Sequence, residues 1–164
     1  MDPRPIKSSS TVLTSLVLPP DTNHYDNIFG GKVLSYIDEV AAIAAMRHCQ
    51  SAVVTASIDS VDFLNPVKKG YAIRLEAFVT WTGRSSMEVF VQVSSEDLLT
   101  GTKQLTATSF VCMVAINEEG RTVPVPPVYP ESEFEKELHH TAPRRQQDRQ
   151  MRKSKELHKM IELK

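Results

Sequence analysis

Residues 21–45 read DTNHYDNIFGGKVLSYIDEVAAIAA, and this stretch decides the fold. It opens with Asp, Asn and Gly, the residues of tight turns. From Gly31 to about His48 there is no proline and no further glycine, and alanine and aliphatic residues dominate. Val33, Ile37, Val40, Ala41 and Ala44 recur at helical spacing. Leu34, Tyr36, Ile43 and Ala45 fill much of the remaining circumference, and a helix apolar nearly all round is a buried one. Something must wrap it. The exception to its apolar character is the adjacent pair Asp38–Glu39.

The rest of the chain supplies the wrapping. Thr11 to Leu18 is rich in Thr, Val and Leu and stops at Pro19–Pro20, which predicts a strand. Four longer β-rich segments follow the helix. Val53 to Phe63 alternates after its apolar start, and Tyr71 to Trp81 sets Ile73, Leu75, Ala77, Val79 and Trp81 on one face. Met87, Val89, Val91 and Val93 share a face of the next, with Glu88, Gln92 and Ser94 opposite. Leu105 to Ile116 ends in the unbroken run FVCMVAI, as expected of a central strand covered on both faces. The links between them are short, so the strands are antiparallel neighbours. One antiparallel sheet curled around one central helix, an α+β fold, is the simplest way to bury that helix. Residues 1–9 read as an extension, 10–130 as the folded domain and 131–164 as a charged helical tail after the proline-dense TVPVPPVYP.

A chain of 164 residues is long enough to bury a core without staples. Its 41% hydrophobic and 24% charged residues are ordinary for a globular protein. The net charge of −1 conceals a basic end: from Pro143 on there are eight Lys or Arg against three Asp or Glu. That segment reads either as a solvated helix or as an attractor of anions, and nothing marks the whole chain as a nucleic-acid binder. Cys49 and Cys112 lack disulfide-framework and metal spacing, which suits a reducing compartment. No signal-peptide run or membrane-length apolar segment is present, so a cytoplasmic protein is expected.

The loop that opens the buried helix has a chemical reading. A helix start presents unpaired N–H groups and partial positive charge, and glycines let a substrate carbonyl approach them. The amides of Gly30 and Gly31 can therefore stabilise an oxyanion. Asp38 lies seven residues past Gly31, about 10 Å up the axis, where a carboxylate can deprotonate a water aimed at the same carbonyl. Asn23 can orient that water or polarise the carbonyl. The plainer readings are a turn residue for Asn23 and a solvated face for Asp38–Glu39, but the flanks IDEVAAIAA argue against the second because burying an idle carboxylate is costly. Glu39 points about 100° away from Asp38, so the two do not form a dyad. His24 and His48 read as structural or exposed. There is no Gly-x-Ser-x-Gly elbow, no metal-type histidine pair and no phosphate loop.

These residues carry a resemblance. TNHYDNIFGGKVLSYIDEVAAIAAMRH, VVTASIDSVDFLNPVKKG, GRSSMEVFVQV and GRTVPVPPVYPESEFEK look like the hotdog-fold acyl-CoA thioesterases, in particular the acyl-CoA hydrolase branch. That branch includes bacterial hexameric enzymes and the repeated domains of the brain-type acyl-CoA hydrolase. The match covers about residues 10 to 150, and Asn-x-x-x-Asn-x-x-Gly-Gly followed by Asp-Glu-x-Ala is fairly specific for it. The resemblance implies a sheet wrapped around a long helix and hydrolysis of acyl-CoA to fatty acid and coenzyme A. Asn23 and Asp38 fall on the family's catalytic pair, contributed by different subunits, with Asp38 as general base or, second, as a nucleophile forming an anhydride. Gly31 would polarise the carbonyl, with Gly30 beside the substrate. Arg84, Ser85 and Ser86 would lie near the nucleotide end of coenzyme A, although TGRSS also reads as a plain hairpin turn. The expected partners are the acyl-CoA substrate and other copies of this chain, as a dimer or a hexamer built as a trimer of dimers. Neither metal nor redox cofactor is implied. The chain departs from the family at Asp26, often glycine there, and at Phe29. The rival readings are a hotdog dehydratase, for which His24 is poorly placed, and a non-catalytic acyl-CoA sensor.

Overall fold

The long apolar segment forms helix α1 (Gly30–Cys49), and Gln50 closes it in the left-handed conformation with its amide on the carbonyl of Met46. The computed structural model describes residues 1–162; the last two residues of the expected tail, 163–164, lie outside the described residues. Around α1 curl β2 (Thr11–Leu16), β3 (Ala52–Ile58), β4 (Ala72–Thr82), β5 (Ser86–Glu96) and β6 (Lys103–Ile116). They form one antiparallel sheet in the order β2-β4-β5-β6-β3. A small parallel pair, β1 (Arg4–Pro5) with β7 (Val128–Tyr129), stands apart from it. A second helix, α2, runs from Glu133 to Glu162.

The core is the contact between the concave face of the sheet and α1. Val33, Ile37, Val40, Ala41, Ala44 and Ala45 of the helix are fully buried with Ile73, Leu75, Ala77 and Val79 of β4. Met87, Val89, Val91 and Val93 complete the floor from β5. Fully burying one such aliphatic side chain is worth ~1.5–3 kcal/mol, so this row supplies most of the drive for the fold. Residues 4–9 also contribute: Ile6 has no exposed surface, and the Ser9 hydroxyl accepts the amide of Val79 at 2.9 Å.

The structure corrects three strand details. The middle strand is β5; the run FVCMVAI lies on β6, with β3 beyond it as an edge. The third strand ends at Ile58 rather than Phe63, after a bulge at Ala56, and the chain then runs beside β6 on isolated bonds such as Asp59 N to Phe110 O, 2.9 Å. On β4 a register shift between Val79 and Trp81 breaks the alternation that placed Trp81 with Val79.

The expected tail is one continuous helix, and its first half packs on the convex face of its own sheet. Phe134 meets Phe78 and Phe90 edge-on, at 6.4 and 5.7 Å between ring centres. Ala142 is fully buried, and His139 Nδ1 lies 2.8 Å from the carbonyl oxygen of Thr80. Pro143 sits inside α2 on its exposed side, where a lost helical bond faces water. Among the described residues no helix is long and apolar enough to cross a membrane.

Candidate active site at the start of the central helix

The turn before α1 is folded by its own asparagines. Asn23 Oδ1 accepts the amides of Tyr25 (3.0 Å) and Asn27 (3.2 Å), and the Asn23 amide donates to the Asn27 carbonyl at 2.8 Å. Asn23 is therefore a turn residue, as its type suggests, while its NH2 group has no protein acceptor among the described residues. Asp26 occupies the left-handed region at φ 57°, which explains why a glycine suits this position. Its carboxylate meets Lys69 Nζ at 2.9 Å, and its carbonyl takes the Lys69 amide.

Phe29 stands where Ser, Thr, Asp or Asn would normally cap the helix, and no side chain caps it. The amides of Lys32 and Val33 fold back to the Phe29 carbonyl, but those of Gly30 and Gly31 meet no acceptor among the described residues. The positive end of α1 is open. A Cβ on Gly30 would touch the Phe63 ring at an ordinary contact distance of 3.4 Å, whereas one on Gly31 would meet nothing within 4 Å. In front of this helix start is a cavity of about 220 Å³ lined by Asn23, Asn27, Ile28, Gly30, Val33, Phe63, Asn65, Pro66, Val67 and Thr106.

Asp38 is half-buried and Glu39 is exposed, so the acidic pair divides as the helical geometry requires. Asp38 Oδ1 accepts a 2.6 Å hydrogen bond from the Thr55 hydroxyl on the edge strand β3. Within one chain Asp38 does not line the cavity that holds Asn23 and Gly30. Thr55 was not legible in the sequence: a threonine in a strand is common, and what aims this one at α1 is its register opposite the helix-facing Met113 of β6.

Arg84, Ser85 and Ser86 form the turn between β4 and β5. It is pinned by Gly83 N to Ser86 O (2.8 Å), Ala115 N to Ser85 O (2.9 Å) and Val125 N to Arg84 O (2.9 Å). It lies at the opposite end of the sheet from Gly30. Ser86 pairs with Val114, whereas Ser94, some 25 Å further along β5, pairs with Leu105 beside the cavity. Ser86 also lines a separate crevice of about 440 Å³ under α2, with Cys112, Arg149, Arg152 and Lys153. The other flagged residues are structural. His24 stacks on Tyr25 at 4.0 Å, and His48 is fully buried. Burial raises the pKa of the Cys49 and Cys112 thiols. Among the described residues no group of three or more His, Cys, Asp or Glu could hold a metal ion.

Residues 25–102 match the Thioesterase superfamily. The chain is 53% identical over 147 residues to the uncharacterized acyl-CoA thioester hydrolase YkhA of Bacillus subtilis, covering 90% of this chain and 86% of that one. The chain belongs to the thioesterase superfamily. It is also 35% identical to the human cytosolic acyl coenzyme A thioester hydrolase over 82% of its own length, but spans only 36% of that longer protein. Among solved structures, a hexameric acyl-CoA thioesterase in its apo form matches with TM-score 0.90 and 57% identity, over 93% of this chain and 97% of that one. The Staphylococcus aureus acyl-CoA hydrolase, in complex with butyryl coenzyme A, coenzyme A and coenzyme A disulfide, matches with TM-score 0.91 and 41% identity over 98% of both chains. Structures of that enzyme also exist with one aspartate, one asparagine or one threonine replaced by alanine. The thioesterase superfamily fold is thus the curled sheet and central helix described above, and the hotdog expectation holds.

Proposed function

We propose that the chain is an acyl-CoA thioesterase, hydrolysing acyl-CoA to a free fatty acid and coenzyme A. One observation carries the reading: an uncapped helix start with two free amides, beside a cavity that Asn23 also lines. The thioester carbonyl accepts from the Gly31 amide, which stabilises the oxyanion as it forms. The Asn23 NH2 group orients the carbonyl or the attacking water. Asp38 takes a proton as the water oxygen bonds to the carbonyl carbon; the C–S bond then breaks, and the departing thiolate recovers that proton. Thr55 holds one oxygen of the Asp38 carboxylate and leaves the other for the water. An aspartate, an asparagine and a threonine are also the residue types replaced in the Staphylococcus aureus enzyme, which supports these three roles.

The separation of Asp38 from the Asn23 cavity within one chain supports a site shared between subunits. The outer edge of β3 leaves Val54, Thr55 and Ala56 exposed. A two-fold axis that joins β3 to the partner's β3 continues the sheet and sets the partner's helix start beside this chain's opposite end. There the crevice holding Ser86 and Lys153 offers hydroxyl and cationic donors for the phosphates of coenzyme A. Three such dimers make a hexamer, and the apo relative is described as hexameric. The free cysteines and the cytosolic human relative support a cytoplasmic location.

The test is thiol release from acyl-CoA by the wild-type protein and by Asp38→Asn, which keeps the shape and removes the base. Wild-type protein releases coenzyme A, and the variant loses on the order of 10²–10⁴ in rate while still binding coenzyme A. Near-wild-type turnover by a folded variant would remove Asp38 from the mechanism. Binding of acyl-CoA by the wild type without any product would instead make the protein a sensor.

A further inference from the structure

On β6, Ala107, Val111, Met113 and Ala115 face the helix and are fully buried, so strict alternation would send Thr106 outward with the exposed Thr108. The pairing with β5 prevents this. Val93 lies opposite Ala107 and Ser94 opposite Leu105, which leaves Thr106 as the additional residue of a β-bulge. Bulges re-aim side chains. Thr106 is 1% exposed, lines the 220 Å³ cavity with Asn23 and Gly30, and its hydroxyl has no hydrogen-bond partner among the described residues. The backbone around it is fixed: the Thr106 carbonyl takes the Leu64 amide and the Leu105 carbonyl takes Asn65 Nδ2, both at 2.8 Å. A buried hydroxyl without a partner is disfavoured, and in this cavity a ligand atom can satisfy it.

We propose that Thr106 is a specificity-determining residue that hydrogen-bonds an oxygen on the acyl group itself, so that preferred substrates are short acyl-CoA thioesters bearing a hydroxyl or keto oxygen on the chain. The inference rests on the thioesterase reading. The thioester carbonyl is already served by the free amides of Gly30 and Gly31. The Thr106 hydroxyl both donates and accepts, which suits either substituent. Ile28, Val33, Phe63 and Val67 supply apolar walls for the few carbons that a cavity of this size admits. A plain alkyl chain in the same place leaves the hydroxyl unpaired.

The experiment compares kcat/KM for butyryl-CoA and 3-hydroxybutyryl-CoA in the wild type, Thr106→Val and Thr106→Ser. Wild type favours the hydroxylated substrate by about five- to tenfold, the worth of one hydrogen bond. Thr106→Val abolishes that preference, lowering kcat/KM for the hydroxylated substrate about five- to tenfold more than for butyryl-CoA, while Thr106→Ser retains it. Equal kcat/KM in the wild type, or a preference that survives Thr106→Val, overturns the proposal while leaving the thioesterase reading intact. So does an equal loss on both substrates, which would give the hydroxyl to the thioester carbonyl or to folding. Hydrolysis of neither substrate overturns the proposal too, and thiol release from a longer acyl-CoA then decides the thioesterase reading separately.

Discussion

His48 ends the buried run of α1 with no exposed surface. Its Nε2 lies 2.8 Å from the carbonyl of Pro126, so Nε2 carries the proton and donates, while Nδ1 has no partner among the described residues. A proton on Nδ1 would meet no acceptor, and burial holds the imidazole pKa below its ordinary 6.5. Above that value neither the folded nor the unfolded chain is protonated here, and the contribution of His48 to stability is complete. As the pH falls below it, the unfolded chain takes up a proton that the folded one refuses, and stability drops until the folded pKa is passed. The slope reaches at most about 1.4 kcal/mol per pH unit. His48→Gln, which keeps a donor for Pro126, removes this dependence. Thermal unfolding of both proteins from pH 7 to pH 5 at one protein concentration should show the wild type losing more stability; parallel curves would exclude the effect. At this scale the sequence made Asn23, Gly30, Gly31 and Asp38 legible, because a glycine turn opening an apolar helix marks its own start and depth. Thr55 and Thr106 were hidden, since Thr55 is aimed by its register against β6 and Thr106 by a bulge, and both depend on pairing between strands distant in sequence.

At the scale of elements, the joint between α2 and the sheet is a buried ion cluster. Glu88 is 1% exposed, and its carboxylate accepts Arg145 Nη2 at 2.7 Å, Arg149 Nη2 at 2.8 Å and the Thr80 hydroxyl at 2.8 Å. Arg149 also reaches Asp59 at 2.9 Å; burial opposes its charge, but the bonds to Glu88 and Asp59 prevail and raise its pKa. The Arg145 guanidinium stacks on Phe110, 4.0 Å from the ring centre. Alternation correctly turned Glu88 away from the core, but it could not reveal that a helix 57 residues further along the chain would cover it. The basic run after Pro143 likewise read as a solvated face or an attractor of anions, whereas Arg145, Arg149 and Arg152 are engaged by Glu88 and Asp59. Removing one partner from a buried charge cluster costs ~3–5 kcal/mol because the remaining charges stay buried. Glu88→Gln should therefore lower thermal stability by an amount in that range and expose α2 to protease ahead of the sheet. Unchanged unfolding and proteolysis would mean that the aromatic contacts of Phe134 alone hold the helix.

For the whole molecule, the proposed mechanism needs two groups that one chain holds apart: Asn23 at the open helix start, and Asp38 with Thr55 near a free sheet edge. The wrapping of the helix was legible in the sequence because an apolar circumference needs a sheet on most sides. How the half-sites meet was suggested only by resemblance, since subunit packing leaves no periodicity in a single chain. A site shared between subunits, as proposed, is testable by complementation. Asn23→Ala and Asp38→Asn chains, co-expressed with different tags and purified as mixed oligomers, are assayed for thiol release from acyl-CoA. Each variant alone should be nearly inactive. In a mixed dimer one of the two sites recovers both residues, so random mixing should restore about a quarter of wild-type activity. Mixed oligomers as inactive as either parent would contradict a site built from Asn23 of one subunit and Asp38 of the other.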